Sequence, residues 1–328
     1  MPSPRVLAFD VGGSKLLGGV IADGGAVEHR AWRPVAGLDR DELFDLLAHA
    51  VEEARATAPD AVAVGFGIPS AIDRRRGVSV RCVHLPLDGV AFGAEMERRV
   101  GLPVAWDNDA NLALLAEHRL GAAREAAEAV MLTLGTGIGG ALLLGGRVYR
   151  GSLGAAGELG HTVVDIDGPA CSPGCPGRGC LETLASGTAI GREGEAAGRA
   201  DPDSGLGRAL AEGRPVSAQL VTELALEGDA LARVVLERVG ERLGTGLVSF
   251  VNAFDPEVVV VGGGVMGAGE LLLAPARRVL EERALLPVRG RMRVAAAELG
   301  AAAGMVGAGL AALDLAGAGT RGSADAVP

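Results

Sequence analysis

The sequence predicts an α/β protein built from two similar domains. Its 328 residues are enough for two ordinary cores. Short, strongly apolar runs alternate with longer stretches of helical periodicity. A strand, a glycine turn and a second strand occur near residue 10 and again near residue 135. The expected division is a small domain over 1–112 and a larger one over 113–303. A helix at about 304–315 should pack back on the first domain. The small, polar stretch 317–328 reads as a disordered tail.

In chain order, Arg5 to Asp10 reads as a buried strand ending in an acid. Val11-Gly12-Gly13-Ser14-Lys15 then turns the chain into a second strand that runs to Ile21, which is a hairpin. Val27 to Val35 supplies a third strand. Asp39 caps a helix reaching about Ala56, with Leu43, Leu46, Leu47, Ala50 and Val51 at helical spacing. Ala61 to Phe66 is the next strand, and Arg74-Arg75-Arg76-Gly77 reads as an exposed turn. A short strand from Leu102 to Trp106 leads into Asp107-Asn108-Asp109-Ala110-Asn111, where a helix toward Leu120 begins. The pattern restarts with Val130 to Leu134, a glycine turn over Gly135 to Gly140, and a strand to Leu144. A largely helical region follows, from about Leu184 to Phe254. Glu257 to Val261 is then a strand entering Gly262-Gly263-Gly264, followed by a helix near Gly269 to Glu282 and a strand at Arg293 to Ala296.

Composition narrows the function. A formal net charge of −10 gives no electrostatic footprint for nucleic acid or an anionic membrane. The segment MPSPRVLAFD lacks the marks of a signal peptide, and no uninterrupted apolar run approaches membrane-spanning length. Three of the four cysteines cluster, which reads as metal ligation in a reducing compartment, so the cytoplasm is the expected location. Of the 31 basic residues only Lys15 is a lysine. That singles out the turn in which it lies.

Glycine turns after strands expose consecutive backbone N–H groups, which is what a polyphosphate needs. Three such turns are present: Gly12-Gly13, Gly135 to Gly140 and Gly262 to Gly264. Ser14 and Thr136 add hydroxyls. Asp10 adds an acid for water-mediated Mg²⁺ binding, and Lys15 a cation for phosphate charge. No turn matches the Walker or dinucleotide patterns.

Asp107-Asn108-Asp109 would serve equally as a plain helix cap. Phosphoryl transfer to an alcohol, however, needs a carboxylate that accepts the hydroxyl proton, and Asp109 is the candidate. His161, Cys171, Cys175 and Cys180 make a complete tetrahedral set for structural Zn²⁺. Glu158, His161 and Glu182 flank it as groups suited to reading several sugar hydroxyls.

The duplicated hairpins resemble the actin-like ATPase (ribonuclease H-like) architecture, in which two α/β domains enclose a nucleotide and sugar cleft. More specifically, the chain resembles the ROK family of bacterial sugar kinases and repressors, and within it the glucokinases. The resemblance rests on Asp10-VGGS-Lys15, Asp107-Asn108-Asp109-Ala110-Asn111, Leu134-GTGIGG, Gly157-ELG-His161 through Cys180-Leu-Glu182, and Val259 to Val265.

The resemblance implies an ATP-dependent kinase for glucose, with ATP and Mg²⁺ as cosubstrates and Zn²⁺ ordering the sugar loop. It implies Asp109 as base, and Asn108, Asp109, Glu158, His161 and Glu182 as sugar contacts. Asp10, Gly12, Gly13, Ser14, Lys15, Gly135, Thr136, Gly137, Gly263 and Gly264 would hold the nucleotide, and His161, Cys171, Cys175 and Cys180 the zinc. A homodimer or homotetramer is implied as well. The alternatives within the class are mannose, fructose, N-acetylmannosamine or N-acetylglucosamine as substrate, and polyphosphate as donor. A sugar-sensing repressor would need a DNA-binding segment before the first phosphate motif, which begins at Asp10. Four departures from the family pattern stand out: Ser14 for Thr, Asp107 for Glu, Ser70 for a common Gly near the sugar, and three residues between the first two cysteines where one is usual.

Overall fold

The computed structural model describes residues 4–171, 174–286 and 289–321. The described residues of Met1–Glu125, Val148–Ala156 and Leu299–Pro328 group into one compact unit; those of Ala126–Arg147 and Gly157–Glu298 form a second.

The first unit opens with β1 (Val6–Val11), β2 (Lys15–Ile21), β3 (Val27–Pro34) and α1 (Arg40–Thr57). It continues with β4 (Val64–Ile68), β5 (Ala71–Asp73), β6 (Val78–Arg81), α2 (Phe92–Val100), β7 (Val104–Asn108) and α3 (Asp109–Leu120). Its main sheet has the order β3-β2-β1-β4-β7. The β1–β2 and β2–β3 pairs are antiparallel, whereas β1–β4 and β4–β7 are parallel. β1 is apolar except for Asp10 because both faces are covered. Leu7, Phe9 and Val11 join a core with Leu43, Phe44 and Leu47 of α1, while Val6 and Ala8 join another that includes Met305 and Ala308. Fully burying each large side chain of this kind contributes roughly 1.5–3 kcal/mol. The start of α1 is fixed by a reciprocal cap: the Asp39 carboxylate accepts from Glu42 N–H at 2.9 Å, and Glu42 accepts from Asp39 N–H at 2.9 Å.

The second unit repeats the strand order. β8 (Ala129–Leu134), β9 (Ile138–Leu144) and β10 (Arg147–Tyr149) precede the helices α4 (Leu181–Ala185), α5 (Gly187–Ala200), α6 (Gly205–Ala211), α7 (Ala218–Glu227) and α8 (Ala230–Phe254). β11 (Val258–Gly262), α9 (Glu270–Arg283) and β12 (Arg293–Ala296) complete it. The sheet order is β10-β9-β8-β11-β12, with β8–β9 antiparallel and β8–β11–β12 parallel. One core gathers Val130 and Leu132 of β8, Val259 and Val261 of β11, Val239, Leu243 and Leu247 of α8, and Leu272 of α9. Each unit is thus a mixed α/β sheet flanked by helices.

α10 (Ala303–Arg321) returns to the first unit. It is long and apolar enough to cross a membrane by length and composition, against the expectation that no such stretch exists, and half of that window is buried. Its buried residues Met305, Ala308 and Ala312 lie with Val6, Ala8 and Leu112, which is the pattern of a core helix. The helix continues past Gly317, where a disordered tail was expected to begin; residues 322–328 lie outside the described residues. The glycine turn expected over Gly135 to Gly140 is shorter, since β9 starts at Ile138. Gly139 and Gly140 are strand residues. A Cβ at Gly140 would lie 2.5 Å from Gly157 O and 2.8 Å from Leu159 Cβ, so this glycine lets the Gly157–Gly160 backbone pass directly over the strand.

Candidate active site

In the first unit, the parallel strands β1, β4 and β7 bring Asp10, Gly67 and Asp107–Asn108 into one row: Asp10 pairs with Gly67, and Gly67 with Asp107. The first glycine turn is closed by Gly12 N–H donating to Lys15 O at 2.8 Å, and Ser14 and Lys15 are exposed. Asp10 lies where α10 begins: a Cβ at Gly304 would sit 2.6 Å from its Oδ2, so only glycine leaves the carboxylate room there. Burial pushes the Asp10 carboxyl up to about 7. The negative charge of Asp109 adds to this, and Lys15 opposes it.

Asn108 is the N-cap of α3. Its Oδ1 accepts from Ala110 N–H at 2.9 Å and Asn111 N–H at 3.2 Å, while its Nδ2 donates to Ser70 O at 3.4 Å. The capping reading of this segment is thus met by Asn108. Asp109, the first residue of the helix, accepts from Ala110 N–H at 2.9 Å. Burial raises its carboxyl above the usual range, against N–H donation from Ala110 and its own backbone and the charge of His84. Ser70, the departure from the family pattern, is buried. Its hydroxyl lies 2.6 Å from Ser79 Oγ and donates to Ala71 O at 2.9 Å and Arg81 O at 3.1 Å, which ties it into the β5–β6 hairpin.

In the second unit, Gly135 N–H donates to Gly137 O at 2.9 Å, closing the second turn. The N-terminus of α5 abuts that turn. Gly187 N–H donates to Gly135 O at 2.8 Å, and Thr188 Oγ1 to Thr136 O at 2.7 Å. Gly263 joins them, because a Cβ there would meet the Leu134 backbone amide at 2.6 Å. Gly135, Thr136, Gly137 and Gly263 thus come together at the start of a helix, where N–H groups and the helix dipole favour phosphate. Gly264 follows as the first residue of a 3₁₀ turn. Gly187 and Thr188 were not foreseen, although Ser186, whose hydroxyl accepts from Ala189 N–H at 3.2 Å, is a recognisable N-cap signal.

The ligating atoms of His161, Cys171, Cys175 and Cys180 lie within 4.8 Å of one another. Cys171 Sγ is 3.4 Å from His161 Nδ1, Cys175 Sγ is 3.9 Å from Cys180 Sγ, and Gly177 N–H donates to Cys175 Sγ at 3.4 Å. Burial, together with the neighbouring Cys171 and Cys175 thiols, pushes Cys180 up to about 12. Three thiols and one imidazole crowded together, with an amide aimed at one sulfur, fit a tetrahedral zinc. Ser172 and Pro173, within the lengthened spacing, lie outside the described residues. Of the residues beside this group, Glu158 is exposed and precedes the short 3₁₀ turn Leu159–His161. Glu182 opens α4 directly after Cys180, and its Oε2 accepts from Ile138 N–H at 2.9 Å.

Two arginines near the first turn were also missed. Asp107 is buried, with its side chain 6% exposed, and pairs with Arg150 Nε at 2.6 Å and Arg74 Nη1 at 3.4 Å. Arg74 lies in the exposed turn expected over Arg74 to Gly77, and nothing in the local sequence signals that it or Arg150 would reach Asp107.

The ROK family model matches residues 6–314. A glucokinase of Thermotoga maritima is 32% identical over 94% of this chain and 97% of its own length. A ROK family glucokinase of Streptomyces griseus, solved in complex with glucose and AMPPNP, superimposes with a TM-score of 0.85 at 32% identity, covering 94% of this chain and 99% of that one. A ROK hexokinase of Thermus thermophilus gives 0.76 at 37% identity, covering 96% and 99%. The resemblance read from the motifs is borne out along nearly the whole chain: this protein belongs to the ROK family.

Proposed function

We propose that this chain transfers the terminal phosphoryl group of ATP to the 6-hydroxyl of glucose, giving glucose 6-phosphate and ADP. The observation that carries the reading is the near-full-length similarity to a glucokinase solved with glucose and an ATP analogue. The matching strand orders of the two sheets support an actin-like, ribonuclease H-like reading of the fold. The charge of −10 supports a small-molecule substrate over nucleic acid, and the clustering of three cysteines beside His161, read as metal ligation, supports a cytoplasmic location. Assembly as a homodimer or homotetramer is part of the same proposal.

In this reading Asp109 accepts the proton of the sugar 6-hydroxyl as that oxygen bonds to the terminal phosphorus and the bond from phosphorus to the bridging oxygen of ADP breaks. Its burial-raised carboxyl suits a base that must take a proton and later release it. The N–H groups of Gly13 and Gly137, presented by turns that Gly12 and Gly135 close, with Ser14, Thr136, Gly263 and Gly264, hold the nucleotide, and Lys15 offsets phosphate charge. Asp10 holds the water shell of Mg²⁺, which supplies charge neutralisation when bound. Asn108, Glu158, Glu182 and Nε2 of His161 read the sugar hydroxyls, while His161 Nδ1, Cys171, Cys175 and Cys180 hold zinc, which fixes the loop and takes no part in the chemistry. Positioning and charge neutralisation supply most of the acceleration.

The test is a coupled ADP-release assay over glucose, mannose, fructose, N-acetylmannosamine and N-acetylglucosamine, with ATP or polyphosphate as donor. Glucose with ATP should give the highest kcat/KM. A stronger rival sugar, or a preference for polyphosphate, would overturn that part of the proposal.

A further inference from the structure

Asp107 is held from two sides. Its Oδ1 accepts from Asn108 N–H at 2.8 Å and from Asn111 Nδ2 at 3.3 Å, both at the strand-to-helix turn that carries Asp109. Its Oδ2 faces away from that turn, toward Arg150 Nε at 2.6 Å and Arg74 Nη1 at 3.4 Å. The carboxylate is therefore a bracket with the catalytic turn on one oxygen and guanidinium groups on the other.

The arginines are themselves fixed. Arg150 Nη1 donates to Val148 O at 3.0 Å, and Arg74 N–H donates to Leu153 O at 2.9 Å. Both thus meet on the short segment Val148–Ala156, which groups with the first unit while the chain on either side belongs to the second. A Cβ at Gly154 would sit 2.8 Å from Arg74 Cγ, so that segment is closely applied to the turn bearing Arg74. The segment continues directly into Gly157-Glu158.

A buried carboxylate tolerates burial only when paired and hydrogen-bonded. A guanidinium provides a planar, directional grip that an ammonium does not. Asn111 Oδ1 is buried without a hydrogen-bond partner among the described residues, while its Nδ2 donates to Asp107. Only Asn108 separates Asp107 from the candidate base.

We infer that Arg150, seconded by Arg74, is a positioning residue for phosphoryl transfer: by clamping Asp107 Oδ2 it fixes the turn that presents Asn108 and Asp109. The inference rests on the proposed kinase reading, since it concerns the placement of that reading's base.

The test compares wild type, Arg150→Met, Arg150→Lys and the double variant Asp107→Asn/Arg150→Met for Tm, kcat, and KM for glucose and ATP. The double variant removes the buried charge that Arg150→Met would leave to the longer Arg74 contact alone, while still withdrawing the clamp. Misplacement of a reacting group on the ångström scale costs about 100-fold in rate. The double variant should therefore melt near wild type yet lose kcat by about 100-fold, with KM for ATP unchanged. Arg150→Lys should recover part of the loss. Wild-type kcat in the double variant would reduce Arg150 to a stabilising ion pair and overturn the inference alone. Failure of wild-type protein to phosphorylate any sugar would overturn it together with the kinase reading.

Discussion

The Glu182 carboxylate accepts the Ile138 N–H at 2.9 Å, one residue after the second glycine turn. A side chain proposed to read the sugar is thereby fastened to the backbone proposed to hold phosphate. Gly137 makes this possible, because a Cβ there would occupy the place of the Glu182 carboxylate. Gly137→Ala should displace Glu182, and Glu182→Ala should remove it, so the two variants are expected to act alike. Losing a charge-assisted hydrogen bond corresponds to about 10- to 100-fold in affinity. Initial-rate measurements should show KM for glucose rising by that order in both; a change in Glu182→Ala alone would dissociate the two residues.

Asp109→Asn should lower kcat by at least about 100-fold, the lower range for loss of a general base, while calorimetry still detects glucose binding. In the proposed mechanism the ionised Asp109 carboxylate is the active form, and burial raises it above the usual carboxylate range. The pH–rate profile should therefore rise from acid toward neutral with a midpoint above that of a free aspartate. A profile flat across that window would exclude Asp109 as the titrating base.

Asp10 gives a stability signature of defined sign. Its folded-state value of about 7 lies above the ordinary 3.8, so the folded protein holds this proton more tightly than the unfolded chain does. Stability should accordingly fall as pH rises from about 4 to about 7, and stay low above that. Asp10→Asn removes the penalty: it should raise Tm at pH 8 and leave it nearly unchanged at pH 4, with a gain on the order of 2–4 kcal/mol at the higher pH. Thermal melts at both values decide it, and an equal shift at both would refute the assignment.

Elemental analysis of purified protein should find about one zinc per chain. Cys175→Ser should lose it, and KM for glucose should rise by at least about tenfold while KM for ATP holds, since in the proposed reading zinc orders the sugar loop and not the phosphate turns. Full metal retention in Cys175→Ser would remove that residue from the ligand set.

What was legible in the sequence was whatever its chemistry declares locally. The Asp39–Glu42 cap, the two glycine hairpins and the His161–Cys180 ligand group each follow from spacing within a few residues or from a rare residue type. β5 and β6, three and four residues long around an arginine run, were too short for any periodicity to show. α2 was missed for a similar reason, at nine residues. The partners of Asp107 lie 33 and 43 positions away and were invisible, because only tertiary folding brings Arg74 and Arg150 to one carboxylate. Ser70 was noted only as a departure from the family pattern, and its hydroxyl's place in the β5–β6 hairpin was invisible because that hairpin was not foreseen.

The first unit draws on three separated stretches of chain, the last of them α10. That helix covers one face of β1, and its Gly304 lies against Asp10. During vectorial synthesis the second unit, whose described residues end at Glu298, has all its strands before α10 leaves the ribosome. The first unit emerges earlier but waits longest, with Val6, Ala8 and Ala63 uncovered until the last helix docks. The nascent chain is therefore most exposed to chaperones, and to misassociation, at its beginning.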